Sequence, residues 1–599
     1  MPRDLIRPMT ETVESSERTA HASWDRIEAW LREHAPSTYA TLRPPVEADR
    51  VAAVERDLEL RLPADFTAVL ARHDGVTPGP AAFTFPGNDR PHSLAELLDH
   101  ARMCLDLWED DEDADFFLGG DYWHRQFVQF TRSNTADGLV LDCRPGDTYG
   151  AVGDFFNGDG ARFDRWPSYA RFLADVADAL ENGTPVGEPL PYVGVPFDGE
   201  LLWEPAPPTT APAEPVSLFE RAAREPAPAP AEPLEARFRP RAEDGPAGEY
   251  GDFCLTFAEG LDPAELLDRY GALPGTTAAR TRVEAVEDST RWTSCYLPTV
   301  RAGSAGTWGF GIEQGHALGA REAVLRRLSR GTRAVSLHFS GFTALSLYED
   351  GRLVTRYDTR RIGRPDGERA PHDVFPGLPG EAERPGPEGP GHRDVLRRVY
   401  AALTATLGIR LPPDALSGAL PSARVLPLLE PLPVNSGGVP HLDERLDRAD
   451  REAPERLRRA LTAQAAQLAE ETGLARYPEV VAALTEGGDT GPVDDDSPLG
   501  ARLRTVTAEF RATLAASTAQ EGRHLVTWDD REVWQRRDSA VRALRALREL
   551  PARRAATWIL PAREDPHWRT GFVADLDIDT ARTDTARTDT ADIEGQEQA

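Results

Sequence analysis

Apolar positions near the start of the chain recur at helical spacing. Trp24, Ile27, Trp30 and Leu31 fall on one helix face, with Ser23 expected as the N-cap. A second stretch presents Val51, Val54 and Leu58. A third opens at Pro63, a residue suited to a first helical turn, carries Phe66, Val69 and Leu70, and stops at Gly75. Then the period drops to two. Phe127 to Phe130 and Leu139 to Asp142 read as strands joined by a turn over Asn134 to Gly138, and Ala151 to Phe156 reads as another. Phe172, Leu173, Val176 and Leu180 mark a closing helix over 168–180. Helices followed by a strand meander predict an α+β domain over 22–183, behind a loose N-terminus over 1–21.

The pattern changes four more times. Prolines recur every few residues from Thr184 to about Gly248, which predicts an extended linker over 184–248. Residues 249–426 mix both periods. Phe253 to Phe257 is a strand, and Asp262-Pro263 caps a helix that ends at Tyr270-Gly271. Strands are expected at Trp308 to Ile312, Ala334 to Phe339, Ala344 to Tyr348 and Arg352 to Tyr357, the last two joined by a Glu349-Asp350-Gly351 turn. This predicts a second α+β domain. Residues 440–562 carry helical periodicity with little strand signal, and 563–599, which include a Thr-Ala-Arg-Thr-Asp repeat from Thr580, read as a disordered tail. The expected fold class is therefore multidomain α+β, with an antiparallel or mixed sheet in the first domain and a helical C-terminal region.

Composition narrows the chemistry. All 68 basic residues are arginine, so a Walker A lysine, a kinase strand lysine and a Schiff-base lysine are excluded. The net charge of -31 argues against a nucleic-acid surface and favours basic protein partners. Residues 1–185 hold 34 Asp and Glu against 18 Arg, about half of the excess in under a third of the chain. Cys104, Cys143, Cys254 and Cys295 lie far apart and read as reduced, buried thiols rather than metal ligands. The first 20 residues lack an apolar signal region, and no apolar run is long enough to span a membrane. A cytoplasmic protein is expected, with export by a leaderless route left open.

Several pieces, taken in order, resemble the SUKH superfamily. They are Leu42-Arg43-Pro44-Pro45, Leu62-Pro63-Ala64-Asp65-Phe66, Leu70 to Gly75, Tyr122-Trp123-His124, Asp137 to Asp142, Val152-Gly153-Asp154-Phe155 and Trp166 to Ala170. That superfamily includes the yeast cell-wall glucan-synthesis regulator and many bacterial toxin-immunity proteins. The resemblance covers about 22–183 and implies a binding module without chemistry of its own. From Phe253 to about Leu411 the chain is similar to an uncharacterised domain family of actinobacterial proteins, which implies a domain boundary and no activity.

The densest charge run is Glu109-Asp110-Asp111-Glu112-Asp113 with Asp115. Its D-x-D-x-D core invites a calcium reading, but an EF-hand loop needs Gly sixth and Glu twelfth, where Phe116 and Tyr122 stand. A solvated loop or a docking surface for a basic partner remains. The candidate partner-binding set is Trp108, Glu109, Asp110, Asp111, Glu112, Asp113, Asp115, Tyr122, Trp123 and Phe155; Trp123 and Phe155 have the size of core or groove anchors, and the binding reading expects an aromatic groove. No catalytic, cofactor or metal residue is assigned. Gly309-x-Gly311 lacks the third dinucleotide-binding glycine, and His124 and His338 have no partner in role. Arginines from Arg531 to Arg554 are expected to face water or pair with the acidic first domain. The expected function is non-enzymatic recognition of a basic protein, immunity-like, with a cell-wall or stress regulatory scaffold, or an enzyme seated in 249–426, as alternatives.

Overall fold

A computed structural model describes residues 9–87, 89–109, 122–132, 136–187, 190–207, 217–224, 252–361, 366–383, 391–411, 416, 418–434, 437–485, 491–518 and 526–576. The chain divides into two compact units, one of residues up to 209 together with those from 564 onward, the other of residues 210–563.

In the first unit, α1 runs from Met9 to His34, α2 from Ala48 to Asp57, α3 from Ala64 to Leu70, α4 from Leu94 to Glu109 and α5 from Tyr169 to Asn182. The short strands β1 (Arg90–Pro91) and β3 (Thr131–Arg132) pair with each other. β2 (Phe127–Gln129), β4 (Gly138–Asp142), β5 (Val152–Phe156) and β6 (Gly160–Trp166) form an antiparallel sheet in the order β2-β4-β5-β6. Strand alternation sends Val128, Leu139 and Leu141 into a core shared with Trp24, Ile27, Phe66 and Phe172, while Phe127, Val140 and Phe155 pack on the opposite face. Ser23 is not a cap. It lies buried inside α1, which begins well before it because Ala20 packs into the core and the Ser16 hydroxyl donates to Asp65 at 2.9 Å.

Asp65 connects three helices. Its carboxylate accepts the Ala170 N–H at the start of α5 (2.8 Å), the Ser16 hydroxyl of α1, and its neighbour Phe66 N–H at 3.0 Å. Asp74 plays the same part for α4, accepting the Leu94 N–H at 2.6 Å. Gly75 is fixed by close approach: it sits at φ +65°, and a Cβ there would stand 2.6 Å from the His92 carbonyl.

The expected linker is partly folded. β7 (Tyr192–Phe197) and β8 (Glu200–Pro205) make a hairpin, with Leu201 and Trp203 in the first core and the Trp203 indole donating to the Thr84 carbonyl at 2.7 Å. Its two prolines misled composition: Pro196 sits on an exposed position of a two-stranded ribbon, where a missing N–H costs little. Further on, α6 (Leu218–Arg224) belongs to the second unit, where Arg221 pairs with Asp530 at 3.0 Å and the Ser217 hydroxyl bonds Glu509. Part of the expected tail is also ordered. Residues 568–576 are helical, Trp568 and Phe572 are buried, and Arg569 pairs with Glu204, whereas the repeat from Thr580 lies outside the described residues.

The second unit holds an eight-stranded antiparallel sheet of β9 (Phe253–Glu259), β10 (Ala278–Arg280), β11 (Thr299–Ala305), β12 (Trp308–Gln314), β13 (Arg333–Phe339), β14 (Thr343–Glu349), β15 (Arg352–Asp358) and β16 (Leu420–Arg424). Their order is β10-β16-β11-β12-β9-β13-β14-β15. Helices α7 (Pro263–Tyr270), α8 (Arg282–Thr290), α9 (Glu322–Leu328) and α10 (His392–Leu407) accompany it. Six more follow: α11 (Asp443–Glu452), α12 (Pro454–Glu471), α13 (Pro478–Leu484), α14 (Pro498–Thr518), α15 (Trp528–Glu549) and α16 (Ala552–Ile559). Asp262 caps α7 as the sequence implies, accepting from Ala264 and Glu265 N–H at 2.9 Å, and Gly271 closes it in the left-handed region. The arginines of α15 find partners inside this unit: Arg537 donates to the Thr472 carbonyl, Arg542 to Asp538 and Arg545 to Glu549.

Two substitutions test this description. Asp65→Ala leaves the α5 amide and the Ser16 hydroxyl unmatched in a dry site, and urea unfolding should show a loss of about 2–3 kcal/mol. Trp203→Ala should cost about 3–5 kcal/mol in the same measurement, whereas a true linker would make it silent.

Candidate partner-binding cleft

The sequence-derived candidates separate into three groups. Asp110, Asp111, Glu112, Asp113 and Asp115 lie outside the described residues, and Trp108 and Glu109 end α4 with their side chains likewise outside them. Tyr122 is half-buried, and its hydroxyl donates to the Asn157 carbonyl at 2.7 Å. Trp123 and Phe155 do not line a groove. They are interior residues, packed edge to face with ring centroids 4.9 Å apart beside Phe127, Val140 and Cys104. The reason is the pleat: Phe155 points to the same side of the sheet as Val140, so two large rings there close a small second core rather than open a surface.

The residues that do form a concave surface come from β5, β6 and α5. They enclose an open cleft of about 980 Å³. Asp154, Asp159, Asp164, Asp175 and Asp178 line it, against Arg162 and Arg165. β6 supplies Arg162 and Asp164 as exposed alternate residues, and α5 supplies Asp175 and Asp178 one turn apart. A register shift between Val152 and Asp154 lets Asp154 meet Arg165, their closer contacts including one of 2.6 Å.

The cleft is partly preorganised. The Arg165 guanidinium stands 4.3 Å above the Trp166 ring, and the Trp166 indole donates to Asp175 at 3.1 Å. Arg26 of α1 pairs with Asp178 at 2.6 Å and also with Glu181. Asp159 and Asp164 remain exposed, and Phe156 offers an accessible apolar ring at the cleft. Asp159 is paired with Arg162 at 3.5 Å, so the surface joins paired acceptors, the exposed Asp164 carboxylate and one aromatic contact, an arrangement suited to Arg or Lys side chains of a protein.

Asp89 lies within reach of the Asp154 charge. Burial, then the nearby Asp154 and Asp137 charges, push its carboxyl up to about 7, although the Thr131 hydroxyl donates to it. No single signal in the sequence marks this set. The Arg162/Asp164 alternation between Ala161, Phe163 and Trp166 is the one strand-like trace, and only the fold brings Asp89 and Asp175 near it.

Residues 45–175 match the SMI1/KNR4 family (SUKH-1), and residues 245–419 match a family of unknown function (DUF6461). A protein described as a KNR4/SMI1 homolog from Eremothecium gossypii is 40% identical over 53 residues, covering 9% of this chain and 8% of that protein. The similarity to the SUKH superfamily implied by the motif pieces is therefore shown for the first unit, and the cleft's β5, β6 and α5 start lie within the matched residues. The match with that curated relative spans less than a tenth of its length.

The Asp89 carboxyl gives a pH signature. Its folded pKa lies above the unfolded value near 4, so from about pH 4 to pH 7 the folded state keeps a proton that the unfolded state releases, and this carboxyl's contribution to stability falls as pH rises. Asp89→Asn should flatten that decline and raise stability at pH 8 by about 1–3 kcal/mol in denaturant titrations.

Proposed function

We propose that the first unit is a protein-binding module of the SUKH type that docks a basic protein, in the manner of toxin-immunity recognition. The observation that carries this reading is the cleft, where five aspartates face two arginines around an exposed Phe156. A basic nuclease-like domain offers the complementary surface, and an acidic concave face raises its rate of encounter and excludes acidic competitors. The acidic run from Glu109 to Asp115 adds charge in the same domain.

The module needs no catalytic step for this. Asp154 and Asp175 are engaged by Arg165 and the Trp166 indole, so they serve as oriented acceptors rather than as bases poised for proton transfer. A second reading, a regulatory scaffold, draws on the likeness to the KNR4/SMI1 homolog, with the two units engaging different clients. Location in the cytoplasm is part of the proposal. Among the described residues no helix is long and apolar enough to cross a membrane.

Affinity capture of a partner from the native host, using the full chain, tests the reading. Asp159 and Asp164 are exposed, so their replacement by arginine leaves the core intact. The double variant should bind the captured partner at least about tenfold more weakly than the parent at low salt, with the difference shrinking as salt screens the charges. Equal affinity for parent and variant would remove the cleft from the interface.

A further inference from the structure

The second unit carries a concavity of the opposite sign. One face of its sheet is covered over β13–β15 by a core that includes Val335, Leu337 and Leu345 together with α10, and the other face is covered by α7 and α9 only part of the way. Beyond that cover the strand residues change character. Ala334 and Tyr348 still belong to the apolar cluster, but the next positions on the same face are Ser336, His338, Ala344 and Ser346. Ser336 stands opposite Ser346 and His338 opposite Ala344, so small and polar side chains make a recessed floor. The resulting cleft measures about 630 Å³.

Arginines surround this floor. Arg321 precedes α9 on one side, Arg360 and Arg361 follow β15 on the other, and Arg356 crosses the floor to Ser346 (3.3 Å) and the Tyr348 hydroxyl (3.3 Å). Two aspartates balance part of this charge: Asp366 pairs with Arg356 at 2.9 Å and Asp358 with Arg360 at 2.7 Å. The Arg360 guanidinium also lies 3.6 Å from the Phe342 ring centroid, which fixes its plane. Arg321 is 3.7 Å from Glu430, and Arg361 is exposed with no ion pair among the described residues. In a chain with 99 acidic residues against 68 arginines, four arginines around one hollow, with Asp358, Asp366 and Glu430 as their carboxylate partners, reverse the overall balance.

The geometry points to a binding site in the second unit for a small phosphorylated anion, its phosphate oxygens taken by Arg361, Arg360 and Arg321 and its remainder resting on the Ser336/Ser346 floor. Guanidinium forks match phosphate oxygens two at a time, and serine hydroxyls add neutral donors. The volume lies within the range of small-ligand sites and exceeds what a lone phosphate fills, which favours a phosphate ester or diphosphate. This site is separate from the acidic cleft and does not rest on the reading given to it.

Calorimetric titration of the full chain with inorganic pyrophosphate tests the assignment. One saturable site per chain is expected, weakened about tenfold or more by Arg361→Gln and by Arg360→Gln. Arg352, exposed at the far end of β15, is the control, and Arg352→Gln should leave affinity unchanged. Because Arg361 is exposed, its variant should keep the parent unfolding midpoint, so a loss of binding reads as a lost contact. Absence of saturable binding, or the same loss in the Arg352 variant as in the Arg361 variant, would overturn the site.

Discussion

The first unit is organised around the Asp65 carboxylate. It sits in the first turn of α3, is buried, and reaches the opening amide of α5 more than a hundred residues away while accepting a hydroxyl from α1. A helix N-terminus presents unmatched N–H groups and a partial positive charge, so a buried carboxylate there satisfies the helix and is itself satisfied. The placement of α5 fixes one wall of the cleft, because Asp175 and Asp178 project from it. The cleft therefore depends on a residue that never touches it.

The other motif acids follow the same logic. Asp74 receives the first amide of α4, and the fully buried Asp142 is bridged by Arg144 at 2.7 Å and by the Arg144 amide at 2.9 Å. Asp154 is the exception that turns outward, held by Arg165 at the cleft. With no lysine in the chain, these contacts are mostly planar forks or backbone donors, which fix direction as well as charge. The second unit uses the same vocabulary: Arg301 is buried and donates to the Arg280 and Leu416 carbonyls, while Glu313 accepts the Leu318 and Gly319 amides, its carboxyl pushed up to about 7 by burial.

Much of the fold was legible because local signals agreed with tertiary packing. Asp262-Pro263, the Glu349-Asp350-Gly351 turn and the Phe172 to Leu180 stripe each specify an element alone. β6 escaped because its Arg and Asp alternation reads as polar, and the 192–205 hairpin because prolines mask two short strands. The short strands β10 and β16 gain meaning only by pairing with each other and with β11. For the candidate site, the sequence located the acidic domain but favoured its densest run. Trp123 and Phe155 have the size of either a groove anchor or a core ring, and size alone does not tell the two apart. Asp154, Asp164 and Asp175 are ordinary residues until the sheet and helix bring them to one hollow.

The central claim is that a basic protein occupies the hollow between β5, β6 and α5. Hydrogen exchange on the full chain, free and bound to its captured partner, reads this most directly. Binding should slow exchange in residues 154–166 and 175–187 while leaving 320–361 unchanged. Protection confined to the second unit, with 154–166 exchanging as in the free protein, would contradict the account.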